Sequence, residues 1–375
     1  MSVAGHNRRL KILHIDPERH WGGGEAQVVG LLSYLAAQGH RNELVAHPNG
    51  RLYAACAPLG ITRHAAVIRN DLDLRCVPKL RRLIATGGYD IVHFHTKRAH
   101  TLSLWLPHKL KRPRYVATRR MDYAEPRNWY THCLYNQRVD GVVAISKNIG
   151  DLLIAAGVHA GKVRVIASGI DVEKFAQCRK GRDRASEQII VGNMGVLEER
   201  KGQGFLLAAA AQLKARGLNL QYRIAGEGAL RRGLEQQAVE LGLADNVQFF
   251  GFVTDSAEFL SSIDLFVMPS LFEGLGVAVL EAMAAGKAVI ATRVGGLTES
   301  VLDGVTGILV APKDAAALAD AIEKLLRDWP LALALGCRGV ERARQHYSLE
   351  QMARHNEKYY YELLEGAGAD EMTKP

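Results

Sequence analysis

Two glutamates, Glu273 and Glu281, bracket the stretch EGLGVAVLE, in which every residue between them is glycine or apolar. Nothing inside the interval can neutralise either acid. If a helix starts near Gly276, then Val277, Leu280, Glu281 and Ala284 share one face by i, i+3, i+4 spacing. Glu281 is then the only polar group on an apolar face, one turn in. A buried carboxylate without partners is costly and tends to protonate. Two adjacent sugar-type hydroxyls would satisfy it, because one carboxylate accepts from both. The first backbone N–H groups, at Leu275, Gly276 and Val277, have no partner inside such a helix and are free for a ligand. Glu273 stands just ahead of them and reaches whatever lies beyond. An acid complementing the helix dipole is the plainer alternative, but that effect is worth only about 0.3–1 kcal/mol and leaves the apolar setting unexplained.

Three further stretches carry chemistry. GVLEERKGQG places Arg200 and Lys201 at the expected start of a helix, where cations oppose the dipole unless they hold an anion such as a pyrophosphate; a solvated charged turn is the alternative. WGGGEAQ, with Gly22, Gly23 and Gly24, follows one expected strand and opens a helix, so its backbone can approach a phosphate closely. It has neither the G-x-G-x-x-G pattern nor the Lys and Ser/Thr of a P-loop, and a ligand-free tight turn reads equally well. AGEGALRRGLE, which contains Glu227, is too short for a dinucleotide fingerprint and reads as a glycine turn lining a nucleotide cleft. Asp71 and Asp73 form a D-x-D that suits a helix start better than a metal site.

The elements that must position these residues alternate strand and helix. RLKILHID, RNELVAH, IVHFHT, RYVATRR and GVVAIS read as strands, and VRVIASGID closes the series. The pattern restarts with QIIVGNMG, LQYRIAGEG, VQFFGFV, DLFVMPS and AVIATRVGG. Such alternation predicts parallel sheets covered by helices. The expected fold is α/β, two doubly wound Rossmann-like domains facing across a cleft, with ligands at the carboxyl ends of the strands. The expected boundaries are 1–172 and 173–345, joined through the polar run Glu173–Gln188, with a C-terminal helix over 346–375 that returns to the first domain.

Length supports two domains, since 375 residues exceed one ordinary core. The five scattered cysteines have no metal or C-x-x-C spacing and read as reduced thiols of a cytosolic protein. No apolar run approaches the ~20 residues of a membrane span, and none of signal-peptide length precedes the first strand. Residues 1–172 carry 25 Lys and Arg against 12 Asp and Glu, whereas the remainder carries 23 against 27. The excess peaks between His108 and Arg120. A basic patch of this kind suits an acidic small molecule, an anionic membrane surface or nucleic acid. With 7% aromatic residues and no RNA-binding signature, nucleic acid is not expected. TLSLWLPHKLKRPR sets Trp and Leu beside Lys and Arg, as interfacial segments do.

Taken in order, GGGEAQVVGLLSYLAAQGH, DIVHFHT, GVVAISKNI, VRVIASGIDVEKF, GVLEERKGQGFLL, IAGEGALRRGLE, VQFFGFV, the Glu273–Glu281 block and VGGLTESVLDGVTGILV span nearly the whole chain. This series resembles the retaining, nucleotide-sugar-dependent glycosyltransferases of the GT-B fold that share an E-x7-E signature. The resemblance implies that Glu281 holds the donor ribose and that Glu273, with the backbone at Gly274, Leu275 and Gly276, contacts the transferred sugar. It implies that Arg200 and Lys201 hold the diphosphate beside Gly195, that the backbone at Phe252 and Val253 reads the base, and that the Gly22–Gly24 loop meets phosphates and acceptor. A nucleoside-diphosphate sugar is then the co-substrate, with no other cofactor and no metal. The acceptor is a glycan or lipid-linked hydroxyl of bacterial lipopolysaccharide or surface polysaccharide, reached from the cytoplasm at the inner membrane face. The chain departs from the family in three places: Val196 stands where Arg often follows the glycine, Arg120 stands where a His is usual, and Ser168 stands where Asn is common. His93, His95 and His100 are the alternative acceptor-side histidines. An epimerase or phosphorylase on the same fold, or a donor-binding protein without activity, remains an alternative reading.

Overall fold

The computed structural model describes residues 8–71, 73–107, 113–180 and 188–372. The basic run at 108–112 and part of the expected joint, 181–187, lie outside the described residues.

The chain forms two units: one runs to Gly169 and resumes at Leu349, and the other comprises Ile170–Ser348. In the first, β1 (Lys11–Asp16), β2 (Arg41–Ala46), β3 (Thr62–Ala65), β4 (Ile91–Phe94), β5 (Arg114–Arg119), β6 (Gly141–Ala144) and β7 (Val163–Val165) form a parallel sheet of order β3-β2-β1-β4-β5-β6-β7. In the second, β8 (Ile190–Met194), β9 (Gln221–Ala225), β10 (Val247–Gly251), β11 (Leu265–Met268), β12 (Ala288–Thr292) and β13 (Ile308–Val310) form a parallel sheet of order β10-β9-β8-β11-β12-β13. Both are doubly wound α/β sheets. Strand order reverses between β1 and β4 and between β8 and β11, which are the positions where such sheets open a crevice at their carboxyl ends.

β11 and β12 of the second sheet read as near-continuous apolar runs, as strands covered on both faces do; LFVM and AVIAT are buried throughout, whereas the buried inner strands of the first sheet also carry His14, His93 and Thr118. β3 and β13 were not read from the sequence. They are edge strands of four and three residues, too short to show a period.

The polar run expected to join the domains starts inside the second unit. Ile170 N–H donates to the Tyr347 carbonyl at 2.8 Å, and Phe175, 1% exposed, belongs to the 3-10 helix Glu173–Lys180. The closing helix, Leu349–Met372, packs on the helix Gly23–Ala37 of the first unit. A methyl group added at Gly30 would sit 2.5 Å from the tip of the Leu349 side chain, so the two helices meet closely there and a larger residue would make that leucine move. Glu357 adds polar ties to His40 at 2.8 Å and to the Tyr34 hydroxyl at 3.0 Å.

Candidate active site

In the second unit the site residues gather at the carboxyl ends of β8, β9, β10 and β11. Gly195 follows β8, and its N–H donates to the Ala225 carbonyl at 2.9 Å. Gly226, at φ 141, lies so close to the Gly195 carbonyl that a Cβ would be 1.8 Å from that oxygen, and its N–H donates to the Gly251 carbonyl at 2.7 Å. Glycine is thus required where these strand ends converge. Glu227 is exposed and pairs with Arg231 at 3.4 Å. Phe252 is 47% exposed and Val253 half-buried, both just past β10.

Arg200 and Lys201 do not open the following helix. They close a separate 3-10 turn, Glu199–Lys201, and Gly202 at φ 67 redirects the chain before the helix Gln203–Ala215 begins. The expected conflict with the helix dipole therefore does not arise, and the two side chains part company. The Arg200 guanidinium lies against Glu198 at 3.1 Å, while its carbonyl accepts from Leu271 N–H at 2.7 Å. The Lys201 ammonium instead reaches Glu273 at 2.5 Å, with both side chains about nine-tenths buried. The Ser270 hydroxyl donates to the same Glu273 oxygen at 3.3 Å. Gly195 adjoins this pair: a Cβ there would be 3.7 Å from the Lys201 Cε.

Gly274 and Leu275 are buried beyond Glu273, and Gly276, at φ 82, caps the helix Val277–Ala284. Leu280 and Ala284 are fully buried, whereas Val277 and Glu281 are half-buried, so Glu281 sits at the edge of the apolar face. Burial pushes its carboxyl up to about 7; Lys174 and the Ser256 hydroxyl work against the shift and Asp255 adds to it. None of these three neighbours was foreseen from the sequence.

In the first unit, Gly22 caps the helix Gly23–Ala37, and the Glu25 carboxylate accepts from Gly22 N–H at 2.7 Å. The helix therefore supplies its own anion at one of the donors expected to face a phosphate. Gly24 lies against Arg120, whose side chain would be 3.5 Å from a Cβ there. Arg120 donates to the Gln27 side-chain oxygen. Burial lowers its pKa, opposed by Asp16 and Glu25. Asp16, buried at the end of β1, has its carboxyl pushed up to about 7, first by burial and then by Glu25.

Register explains the neighbours of Arg120. β1 and β4 pair His14 with His93, and β4 and β5 pair His93 with Val116. His14, Asp16, His93, His95, Thr118 and Arg120 consequently point to one face, by the two-residue period of a strand. His93 bonds Tyr360 at 2.6 Å and Thr118 at 2.7 Å, and its ring centroid is 4.0 Å from that of His95. His14 bonds His95 at 2.9 Å and Asn42 at 3.2 Å. His14, His93 and His95 each bring a possible ligand nitrogen within 4.8 Å of the others. Both nitrogens of His14 and of His93 already serve the hydrogen bonds just given, which an entering ion would have to break, whereas His95 uses only Nε2. His100 is buried too, against the Leu134 carbonyl at 3.2 Å.

Beyond these side chains lies a pocket of about 390 Å³, walled by His95, Lys97, Arg98, Arg119, Arg120 and Tyr123, with Glu18 and Asp71 among its other residues. Lys97, Arg98 and Arg119 were not singled out in the sequence; the signal available was the position of Lys97 and Arg98 directly after the expected strand IVHFHT and of Arg119 at the carboxyl end of RYVATRR. Asp73 does not cap a helix through its side chain as expected. Its carboxylate turns back to Arg69 N–H at 3.0 Å and to the Arg75 guanidinium at 2.6 Å, which holds it well below the usual carboxylate range. Cys56, Cys76, Cys133 and Cys178 are buried thiols and Cys337 is exposed.

Two doubly wound parallel sheets, each with a cluster of polar residues at its strand ends, define the class as a two-unit Rossmann-like α/β protein. Its family is established by comparison. The model of glycosyl transferases group 1 matches residues 175–342, and that of glycosyltransferase family 4 matches residues 21–174. A D-inositol 3-phosphate glycosyltransferase of Corynebacterium urealyticum is 31% identical over 74% of this chain and 72% of its own. The lipopolysaccharide core biosynthesis glycosyltransferase LpsE of Rhizobium meliloti is 29% identical over 88% of this chain and 93% of its own. HepE of Anabaena, solved in complex with UDP, superimposes with a TM-score of 0.80 at 22% identity, covering 94% of this chain and 100% of that one. The chain belongs to the group 1, family 4 glycosyltransferases, and is a glycosyltransferase with two Rossmann-like domains. Among the described residues no helix is long and apolar enough to cross a membrane.

Proposed function

We propose that the protein is a retaining, metal-independent glycosyltransferase that moves a sugar from a nucleoside diphosphate to a hydroxyl of a glycan or lipid-linked acceptor, in lipopolysaccharide or surface-polysaccharide synthesis at the cytoplasmic face of the inner membrane. The carrying observation is the buried Lys201–Glu273 pair at the carboxyl ends of β8 and β11, with Glu281 one helix turn further on. In this reading Glu281 accepts from the ribose hydroxyls and Phe252 and Val253 face the base. The diphosphate lies at Lys201 and Gly195, and Glu273, released from Lys201, meets the sugar. Negative charge grows on the diphosphate as the glycosidic bond breaks, and the Lys201 ammonium is already in place to offset it. A preorganised charge of this kind typically supplies about 10²–10³ in rate. The acceptor oxygen bonds to the anomeric carbon on the face the diphosphate leaves, and the departing phosphate oxygen takes its proton, so configuration is kept. The pocket walled by Arg98, Arg119 and Arg120 is the acceptor side, and its cations suit the anionic acceptors found on bacterial surfaces. The similarity to LpsE supports the acceptor class, and the UDP complex of HepE supports the donor class.

The test is a panel of labelled UDP-, GDP- and ADP-sugars incubated with the protein and surface-glycan acceptors, with and without excess EDTA. Transfer with retained anomeric configuration in EDTA is expected. An inverted product, or activity that returns only with manganese, would refute the mechanism.

A further inference from the structure

Below the first-unit pocket lies a second, far smaller compartment. Its free volume is about 10 Å³, enough for one water-sized sphere. Its walls include His95, Ser168, Asn356, Arg120 and Gln27. Three of these residues come from separate parts of the unit: His95 follows β4, Ser168 follows β7, and Asn356 lies in the closing helix. Each has a buried side-chain atom with no protein partner, namely His95 Nδ1, Ser168 Oγ and Asn356 Oδ1. The three residues are 1%, 1% and 3% exposed. Unmet polar atoms are rare in protein interiors, and three that belong to residues walling one small space point to a common partner.

The hydrogen-bond chain around His95 fixes what that partner must be. Asn42 Nδ2 points to the His40 carbonyl at 3.5 Å, which leaves Asn42 Oδ1 facing His14. An oxygen there must accept, so His14 carries its proton on Nε2 and has a bare Nδ1. That bare nitrogen must accept from His95, so His95 carries its proton on Nε2 and its own Nδ1 is bare. Burial lowers the pKa of both rings and keeps them neutral. Asn356 Nδ2 donates to the Met352 carbonyl at 2.8 Å, so Asn356 Oδ1 is also an acceptor. The compartment thus offers two acceptors and one hydroxyl that can donate. A water molecule matches this set: it donates to His95 Nδ1 and Asn356 Oδ1 and accepts from Ser168 Oγ. A cation would meet the Arg120 guanidinium in the same wall.

We propose that this compartment is a binding site for one structural water, which locks the His95 ring and makes Asn356 and Ser168 positioning residues for the pocket that His95 and Arg120 wall. The ring is then held by His14 at one nitrogen, by the water at the other, and by the stacked His93 on its face. The water site stands independently of the reaction; its effect on the acceptor rests on the proposed function.

A crystal structure of the full chain at high resolution should show one density peak within about 3.2 Å of all three atoms. Long-range ¹H–¹⁵N spectra of the labelled protein should show His95 Nδ1 bare and Nε2 protonated. An empty compartment, a peak with the short contacts of a metal ion, side chains turned to bond one another, or a protonated Nδ1 would each overturn the proposal. Asn356→Leu should expel the water and raise the acceptor KM several-fold, with kcat and UDP affinity unchanged. If that variant folds poorly, Ser168→Val gives the same comparison. A variant that loses the water but keeps the wild-type acceptor KM refutes the positioning role. Should the wild type transfer no sugar at all, the proposed function fails, while the density and nitrogen spectra still decide the water.

Discussion

Replacing Lys201 by methionine tests the central pair without assuming any reaction. The ammonium and the Glu273 carboxylate are 2.5 Å apart, with side chains 11% and 10% exposed. Methionine fills much of the same space, so the loss is mainly one of charge. Removing one member of a buried pair leaves the other desolvated and uncompensated, which typically costs about 3–5 kcal/mol. The Ser270 hydroxyl, 3.3 Å from the same oxygen, cannot replace the ammonium, because a single hydrogen bond to a charged group contributes only about 1.5–3 kcal/mol. For a unit of this size each kcal/mol moves the midpoint by roughly 2–4 °C, so Lys201→Met should lower it by about 10 °C. The double variant Lys201→Met with Glu273→Gln should recover most of that loss, because no unpaired charge remains. Urea unfolding of the wild type, both single variants and the double variant measures the coupling directly. A single-variant cost below about 1 kcal/mol, the range of exposed ion pairs, would show that water screens the pair. The buried arrangement that places the diphosphate at Lys201 would then be wrong.

Glu281 should impose a pH dependence on donor binding. Its carboxyl titrates at about 7 in the free protein, and only the ionised form accepts from two hydroxyls. Affinity for the matching nucleoside, which carries no titrating phosphate, should therefore rise roughly tenfold from pH 6 to pH 8; calorimetry showing a flat profile, or the same slope in Glu281→Gln, would refute the assignment. Lys313 is the one non-glycine residue at positive φ among the described residues, at φ 62. Lys313→Gly should stabilise the second unit by about 1 kcal/mol, read from its unfolding midpoint; a loss would mean that the lysine side chain makes a contact worth more than the strain.

The strands that carry the site were legible because their signal is local. β1, β8 and β11 are short, mostly buried segments that end in turn residues, and each precedes one of the candidate loops. The Glu273–Glu281 block was legible for the same reason: helix periodicity converts sequence spacing into a shared face. What a carboxylate touches is not local information. Glu273 lies 72 residues from Lys201, and nothing in either segment marks the other as its partner. Arg200 and Lys201 are adjacent and of like charge, and only the left-handed turn at Gly202 and the carbonyl contacts of Arg200 send one side chain to Glu198 and the other to Glu273.

The histidine face shows where the remaining information resides. A strand period alone puts His93 and His95 on one side of β4, and that much is in the sequence. Joining them to His14, Thr118 and Arg120 requires knowing that β4 lies between β1 and β5 and in which register. Strand order in a doubly wound sheet is set by how helices cover its two faces, which no single segment encodes. Once the order is fixed, the parallel ladder brings the polar residues of β1, β4 and β5 together at the switch point, under the helix that Gly22 opens and beside the closing helix that carries Asn356. A one-residue slip of β4 against β1 would turn His93 and His95 to the opposite face and dissolve the cluster. The apolar positions Ile12, Ile91 and Val116, buried on this same face, hold the register. The packing of this core and the chemistry of the first unit are therefore fixed by the same alignment of strands.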